Sequence, residues 1–303
     1  MGWGRTSVEM NAMSAEAELG KSIDYQSCRY GASRISFRGP LRKIRGDYFV
    51  CVGSSETYGM FTKLPFPDLI EQNLGTPTVN LGCHKASIDA FNTSPGLIDI
   101  CSMAKVTVVQ IMGALNMSNR FYTVDPRHNE RFVRASKRFK QIYPEIDFTT
   151  FRTNELMLGE LARTGPDRIH LVRQEVQSAW VARMRTLLGQ IDGKKVLLWA
   201  SDHTPYCLNK PSTICRNPLF IDRAMLDAVK DYADAYVEVV GTPGEIHAGR
   251  SELVYSQYEE SEAKQMLGGL VHERIARELE PVVMALLHDL PAPTMKPRSM
   301  LAS

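Results

Sequence analysis

The sequence has no long apolar run and no strong excess of charge of one sign. No stretch of about 18 apolar residues occurs, so we expect no membrane span. Residues 1–20 lack the apolar core of a secretion signal, and the resulting expectation is a cytoplasmic protein. The formal net charge is +2, which gives no polyelectrolyte argument for a nucleic-acid partner.

Paired cysteines and common metal motifs are also missing. The six cysteines form no CxxC pair, and the chain has no HExxH, zinc-ribbon or EF-hand spacing. A reduced protein without a metal or cofactor is therefore expected.

Five short runs have the apolar character of buried strands. They are YFVCV (48–52), PTVNL (77–81), VTVVQIM (106–112), KVLLWA (195–200) and AYVEVV (235–240). Most are continuously apolar, which is typical of parallel strands covered on both faces. Helix-like segments separate them, so the pattern predicts a doubly wound α/β sheet.

A long segment, residues 117–194, interrupts the alternation between the third and fourth strands. We interpret it as a mostly helical insertion within a single domain of residues 1–303. Its best helix runs from Pro166 to Leu188, and we predict a second strong helix over about 272–288. The ends, about 1–20 and 291–303, are predicted to be flexible.

A basic segment, SRISFRGPLRKIRG, precedes the first strand. Ile35 and Phe37 alternate with polar residues there, which indicates a solvated edge strand. A charge run of this kind is usually a solvated face, and contact with an anion or a polysaccharide is the alternative.

Polar residues and glycines follow the predicted strands. Ser54 and Ser55 follow the first, and Gly82 ends the second; Asn116 follows the third. Asp202 and His203 follow the fourth, and His272 opens the last helix. Because ligands collect at the carboxyl ends of parallel strands, these residues could form one site. A hydroxyl, an approachable glycine amide, a side-chain amide and a histidine are the parts of an acyl-transfer site.

The motif order resembles that of a known superfamily. GSSETYG is similar to the GDSxTxG block of SGNH, or GDSL-type, hydrolases, and PFPDLIEQNLGTPTVNLG resembles the helix and strand that follow it. The resemblance implies a three-layer, flavodoxin-like α/β sandwich with a five-stranded parallel sheet. The whole chain is also similar to an uncharacterised bacterial family, a domain of unknown function (number 6473), which implies no activity.

The resemblance implies roles for individual residues. Ser55 matches the nucleophile, and its amide and that of Gly82 match two oxyanion donors. Asn116 matches the third donor, with Asn119 as the spare. His272 matches the catalytic base, although Gly269 stands where the family has an Asp and Ser54 replaces the Asp of the first block.

Several assignments have alternatives. Asp202 is our candidate for the missing carboxylate, and a turn cap is the other interpretation. Ser55 could instead be a turn former or helix cap, and His272 a surface residue of a first helical turn. His203 and His247 are rival bases.

Two functions follow from these assignments. The first is a serine hydrolase or acyltransferase acting on a small-molecule or saccharide ester, with an O-acetylated carbohydrate as one candidate. The second is a degenerate member of the fold that binds such a ligand without cleaving it. Glu56 and Asn119 are candidates for substrate contacts, and Glu56 would disfavour a negatively charged substrate. The oligomeric state does not follow from the sequence.

Overall fold

A parallel sheet of five strands forms the centre of the computed structural model, which describes residues 22–205 and 217–290. All five predicted runs form its strands, in the order β2-β1-β3-β6-β7. A two-stranded antiparallel hairpin, β4-β5, lies apart from it. The strands are β1 Phe49–Gly53, β2 Thr78–Gly82, β3 Val106–Gln110, β4 Tyr122–Val124, β5 Phe132–Ala135, β6 Lys194–Ser201 and β7 Ala235–Val240.

Helices separate the strands as predicted. They are α1 Ser55–Tyr58, α2 Phe66–Leu74, α3 Ile88–Asn92, α4 Pro95–Ser102, α5 Lys137–Ile142, α6 Asn154–Thr164, α7 Ile169–Gln190, α8 Arg223–Asp227, α9 Pro243–Arg250, α10 Glu260–Ala263 and α11 Gly269–Leu287. Short 3₁₀ turns occupy Phe148–Thr150 and Lys230–Tyr232. The flexible ends predicted at 1–20 and 291–303 lie outside the described residues.

Both faces of the sheet are covered. Along β1, Val50 and Val52 pack into one hydrophobic cluster, whereas Phe49 and Cys51 pack into another. Successive side chains of a strand point to opposite faces, so the continuous apolar run buries every residue. Helices α2 and α11 pack together and contribute to the cluster that holds Phe49 and Cys51.

Helix boundaries follow the local sequence signals. Pro67 lies in the first turn of α2, and Gly75 ends that helix in the left-handed region at φ +64°. The long helix α7 begins three residues later than Pro166 and extends past Gly189 to Gln190. Its predicted stripe, from Val172 through Trp180 to Leu187, is buried.

The segment between β3 and β6 is not wholly helical. Residues 119–132, NRFYTVDPRHNERF, for which the sequence also allowed a lid, form most of the β4-β5 hairpin. Helices α5, α6 and α7 make up most of the remainder. No helix in the described ranges is long and apolar enough to cross a membrane.

Candidate functional site

The predicted site residues lie where the strands end. Ser55 follows the end of β1 by two residues, and Gly82 is the last residue of β2. Asn116 lies in the loop after β3, and Asp202 directly follows β6. These strands run parallel in one sheet, so their carboxyl ends meet at the same edge.

The turn after β1 is held against β3 by one side chain. Gln110 Oε1 accepts hydrogen bonds from the Ser54 amide (3.1 Å), the Thr57 amide (3.2 Å) and the Thr57 hydroxyl (2.6 Å). A Cβ at Gly53 would lie 2.0 Å from the Thr57 hydroxyl and 2.4 Å from Gln110 Oε1. Glycine is therefore required at the end of β1, and the turn is fixed by close packing.

The Ser55 hydroxyl has two partners. Its Oγ lies 3.3 Å from His84 Nδ1, and it accepts a hydrogen bond of 3.1 Å from the Lys85 amide. Ser55 is the first residue of α1, and no side chain caps that helix. The hydroxyl is thus not a helix cap. It lies between an imidazole nitrogen and a backbone donor.

His84 connects Ser55 to a carboxylate. Its Nε2 lies 3.2 Å from Glu262 Oε1, and Lys85 Nζ lies 3.0 Å from the same oxygen. With Nε2 protonated towards Glu262, Nδ1 is free to accept the Ser55 proton. Burial lowers the pKa of His84 below its usual value, while Glu262 opposes that shift. The lowered pKa favours the neutral imidazole, which is the form that can act as a base.

Lys85 has an unusual backbone conformation in this arrangement. Its φ is +52°, in the left-handed region that a residue with a Cβ seldom adopts. The amide donates to Ser55 Oγ, and the carbonyl accepts from Asn116 Nδ2 at 3.1 Å. Asn116 is held in turn by Asn154, whose Nδ2 donates to Asn116 Oδ1 at 3.0 Å. The backbone of Lys85 thus links Ser55 and Asn116 through two hydrogen bonds.

Gly82 has a packing role. A Cβ there would lie 2.1 Å from the Tyr58 nitrogen, so only glycine lets β2 approach α1 so closely. Its amide donates to Asn80 Oδ1 at 2.8 Å, and Asn80 Nδ2 donates to the Thr57 carbonyl at 2.8 Å. The amide that the resemblance assigns to the oxyanion hole therefore already has an acceptor.

The expected hydrogen bond between Ser55 and His272 is absent. His272 is the fourth residue of α11 and is fully buried, with its ring stacked on Phe66. Its Nδ1 accepts from the Phe66 amide at 3.3 Å, and its Nε2 lies 3.3 Å from Glu56 Oε2. Glu56 Oε1 also accepts from the Leu267 amide at 3.1 Å. The structure therefore places His272 beside the glutamate that follows Ser55.

Asp202 is paired with a different histidine from the one expected. Its Oδ1 lies 2.7 Å from His203 Nδ1, and the Ser201 hydroxyl lies 2.8 Å from the same nitrogen. His203 is buried and its ring meets Trp199 edge-on. Asp202 thus orients its sequence neighbour. The third histidine considered as a base, His247, is exposed on α9.

Asn119 belongs to the loop before the hairpin. Its side chain accepts from the Phe121 and Tyr122 amides at 2.9 and 3.2 Å and donates to the Met117 carbonyl at 3.0 Å. Those bonds shape the turn into β4, and Asn119 does not line the cavity that contains Ser55.

A cavity of about 730 Å³ opens in front of Ser55. That size falls within the range of about 300–1,000 Å³ that is usual for small-molecule sites. Glu56, Lys85, Asn116 and Asp202 also contribute to its wall. The neighbouring thiol of Cys83 is not a rival nucleophile, because burial raises its pKa to about 12.

Sequence reasoning missed His84, Lys85 and Glu262. A signal for His84 was present, since it lies two residues after the glycine that ends β2, at the edge where ligands collect. Lys85 gave no signal, because its φ depends on the folded loop. Glu262 lies far along the chain in a short helix after β7, and no spacing rule connects it to Ser55.

Comparison with known proteins gives a family but no activity. A family model described as "Domain of unknown function (DUF6473)" matches residues 13–287. No curated protein matches the chain.

Two solved structures show weak likeness. BT4096, a gut microbial diltiazem-metabolizing enzyme, aligns at a TM-score of 0.36 and 11% identity, over 79% of this chain and 47% of that one. The lipase Lip_vut3 from a goat rumen metagenome aligns at a TM-score of 0.35 and 10% identity, over 77% of this chain and 96% of that one. This chain spans about half the length of the first. At these TM-scores neither likeness supports a conclusion.

Proposed function

The chain belongs to the DUF6473 family, which has no described activity, and we propose that it is a serine hydrolase or acyltransferase acting on an ester. The observation that carries the proposal is the contact between Ser55 Oγ and His84 Nδ1 at 3.3 Å, beside a cavity of ligand size. A serine hydroxyl is a weak nucleophile until a neighbouring base accepts its proton. We propose His84 as that base and Glu262, 3.2 Å from His84 Nε2, as the group that orients it.

The proposed reaction has two halves. Ser55 Oγ attacks the ester carbonyl carbon while His84 Nδ1 takes the hydroxyl proton. The C–O bond to the leaving alcohol then breaks, and His84 returns the proton to that alcohol. A water, or an acceptor alcohol in the transferase case, then attacks the acyl carbon while His84 takes its proton. The bond from that carbon to Ser55 Oγ breaks, and His84 returns the proton to Ser55 Oγ as the acid or the new ester leaves. Glu262 stabilises the imidazolium at Nε2 in both halves.

Two groups are proposed to stabilise the oxyanion. The Ser55 amide lies in the first turn of α1, where amides have no acceptor within the helix. Asn116 Nδ2 would exchange the Lys85 carbonyl for the oxyanion as charge develops. The Gly82 amide, the third donor implied by the resemblance, would first have to leave Asn80.

The SGNH interpretation of the fold belongs to the same proposal. The strand order β2-β1-β3-β6-β7 corresponds to the flavodoxin-like order 2-1-3-4-5 once the β4-β5 hairpin is set aside. The family match spans residues 117–194 without a break, which supports an insertion within one domain. The base differs from the one that the resemblance implies: His84 replaces His272, and Glu262 replaces the missing aspartate.

Binding without cleavage is the second candidate. It is favoured by the Gly82 amide, which is already bound to Asn80, and by the pairing of His272 and Asp202 with groups other than Ser55. A site that kept its cavity and lost its oxyanion donors would hold an ester or saccharide without cleaving it.

Covalent labelling with a fluorophosphonate probe, followed by peptide mapping, separates the two candidates. We expect the wild-type protein to be labelled on Ser55. Ser55→Ala should abolish labelling, while Ser54→Ala should keep most of it, since Ser54 Oγ is not the hydroxyl that faces His84. Absence of labelling together with no cleavage of p-nitrophenyl acetate would leave the binding candidate.

A further inference from the structure

The cavity in front of Ser55 has an aliphatic wall. Six aliphatic side chains contribute to it: Ile111, Met112, Leu115, Leu156, Leu158 and Leu219. Five of these are buried, so the apolar surface belongs to the hydrophobic interior and does not depend on loose surface residues. Apolar surface of this kind binds ligand groups that gain by leaving water.

Aromatic side chains are missing from the part of this wall that the structure describes. Among the described residues that line the cavity there is no Trp, Tyr or Phe. Flat aromatic faces are what proteins commonly use to stack against sugar rings, and the chain has them in quantity elsewhere, as in the Phe121–Phe139 and Phe132–Phe148 contacts. The wall is thus suited to a flexible aliphatic chain and poorly suited to a saccharide ring.

Leu156 is the part of the wall that requires an explanation. It lies on α6, its side chain is 61% exposed, and it borders the same cavity as Ser55. An exposed leucine on its own is ordinary. At the opening of an aliphatic cavity it extends the apolar surface outwards, where a bound chain would cover it.

Charged groups lie around the opening. Glu155, Glu160 and Arg163 lie on α6, as Leu156 does, and Arg250 and Lys264 also contribute to the cavity wall. Carboxylates and cations are thus mixed there, without an excess that would select a strongly charged substrate. The polar groups therefore surround an apolar interior.

We infer that this cavity binds the aliphatic chain of the substrate, and that Leu156 is a specificity-determining residue for chain length. The inference rests on the proposed function in placing the ester at Ser55, and it changes the expected acyl group from acetyl to a medium-length chain. The alcohol would then leave through the charged opening.

A chain-length series of p-nitrophenyl esters tests the inference, because the leaving group is constant across it. Each methylene that the cavity fully covers increases the binding constant about fourfold. The value of kcat/KM should therefore rise by at least about tenfold from acetate to octanoate. Leu156→Ser should lower the octanoate-to-acetate ratio by about threefold or more. Leu156→Met, which keeps the apolar surface, should restore it.

Leu41→Ser is the matched control, because Leu41 is 60% exposed and lies outside the cavity wall. Its octanoate-to-acetate ratio should equal that of the wild type. A ratio near one in a wild-type protein that does cleave acetate would overturn the inference and leave the proposed function standing. If Leu156→Ser and Leu41→Ser lower the octanoate-to-acetate ratio equally, the role of Leu156 is overturned.

A binding measurement separates the inference from catalysis. Ser55→Ala should bind the neutral ligand octanamide more tightly than acetamide by calorimetry, and Leu156→Ser in that background should weaken octanamide. If the wild type cleaves no ester but this preference is found, the proposed function fails and the cavity inference stands. Equal binding of the two amides would overturn it.

Discussion

His84 Nδ1 lies 3.3 Å from the Ser55 hydroxyl, although 29 positions separate the two residues in the chain. The contact forms because β1 and β2 are neighbours whose register pairs Gly53 with Gly82. The turns that follow these two glycines therefore meet at the edge of the sheet. The proposed nucleophile and base thus meet through the pairing of β1 with β2, and the last helix supplies neither of them.

The first prediction decides which histidine is the base. His84→Gln should lower kcat/KM for p-nitrophenyl butyrate by at least about 10²-fold, the lower end for loss of a general base. His272→Gln should keep most of the activity, because His272 contacts Phe66 and Glu56.

The melting temperature is the control for this pair, since His272 is fully buried and its replacement affects packing. If His272→Gln keeps its melting temperature but loses activity, while His84→Gln remains active, the base implied by the SGNH resemblance is the correct one.

The second prediction concerns the acid limb of the pH profile. Burial lowers the pKa of His84, and the base must be neutral to act, so the fall of kcat/KM on acidification should lie at a lower pH than it would for a histidine of ordinary pKa. Three charged groups act on this imidazole: Glu262 and Glu130 raise its pKa, and Lys85 lowers it.

Replacing Glu262 and replacing Lys85 should shift the acid limb of the pH profile in opposite directions. Glu262→Gln removes a carboxylate, disfavours the imidazolium and should move the limb to lower pH. Lys85→Met removes a cation and should move it to higher pH. Shifts in the same direction, or no shift in either variant, would show that another group titrates.

The fold was predictable because its signals are local. Continuous apolar runs such as that of β1 identify buried parallel strands, and Gly75 ends α2 as glycine usually does. The hairpin was missed, since Tyr122–Val124 has only three residues, too few to show a period of two.

The site was predictable only in part. Ser55, Gly82 and Asn116 follow from strand ends, whereas Glu262 depends on how α10 packs, which no local pattern encodes. The burial of His272 could have been anticipated. It shares the helical stripe of Ile275, Leu279 and Leu286, and a histidine on an apolar stripe is oriented towards the interior.

The third prediction tests Asn116 as an oxyanion donor. Asn116→Ala should lower kcat by about 10²-fold or more with little change in KM, because the interaction forms only as charge develops. Asn73→Ala is the control, since Asn73 is exposed and its side chain bonds to Glu280. A raised KM with unchanged kcat would assign Asn116 to substrate binding.

The basic segment before β1 supplies a buried arginine. We expected a solvated edge strand there, but Arg38 is only 6% exposed and residues 34–45 join no strand of the main sheet. Its guanidinium donates to the carbonyls of Gly59 (2.7 Å), Thr62 (2.8 Å) and Lys63 (2.7 Å). The planar guanidinium, with its five N–H donors, thus supplies hydrogen bonds to backbone carbonyls of a loop that pairs with no strand.

The last prediction follows from those three bonds. Arg38→Leu keeps much of the side-chain volume but removes the guanidinium donor from these carbonyls. The Gly59 carbonyl keeps the Thr62 amide as a donor, whereas the buried Thr62 carbonyl loses its donor, at a cost of about 1–3 kcal/mol. The free energy of unfolding should fall by about 1–3 kcal/mol, measured by urea denaturation. Arg34→Leu should change it by less than about 0.5 kcal/mol, because Arg34 is exposed. Similar small losses in both variants would mean that water replaces the guanidinium, and that the loop after α1 is held by its apolar contacts.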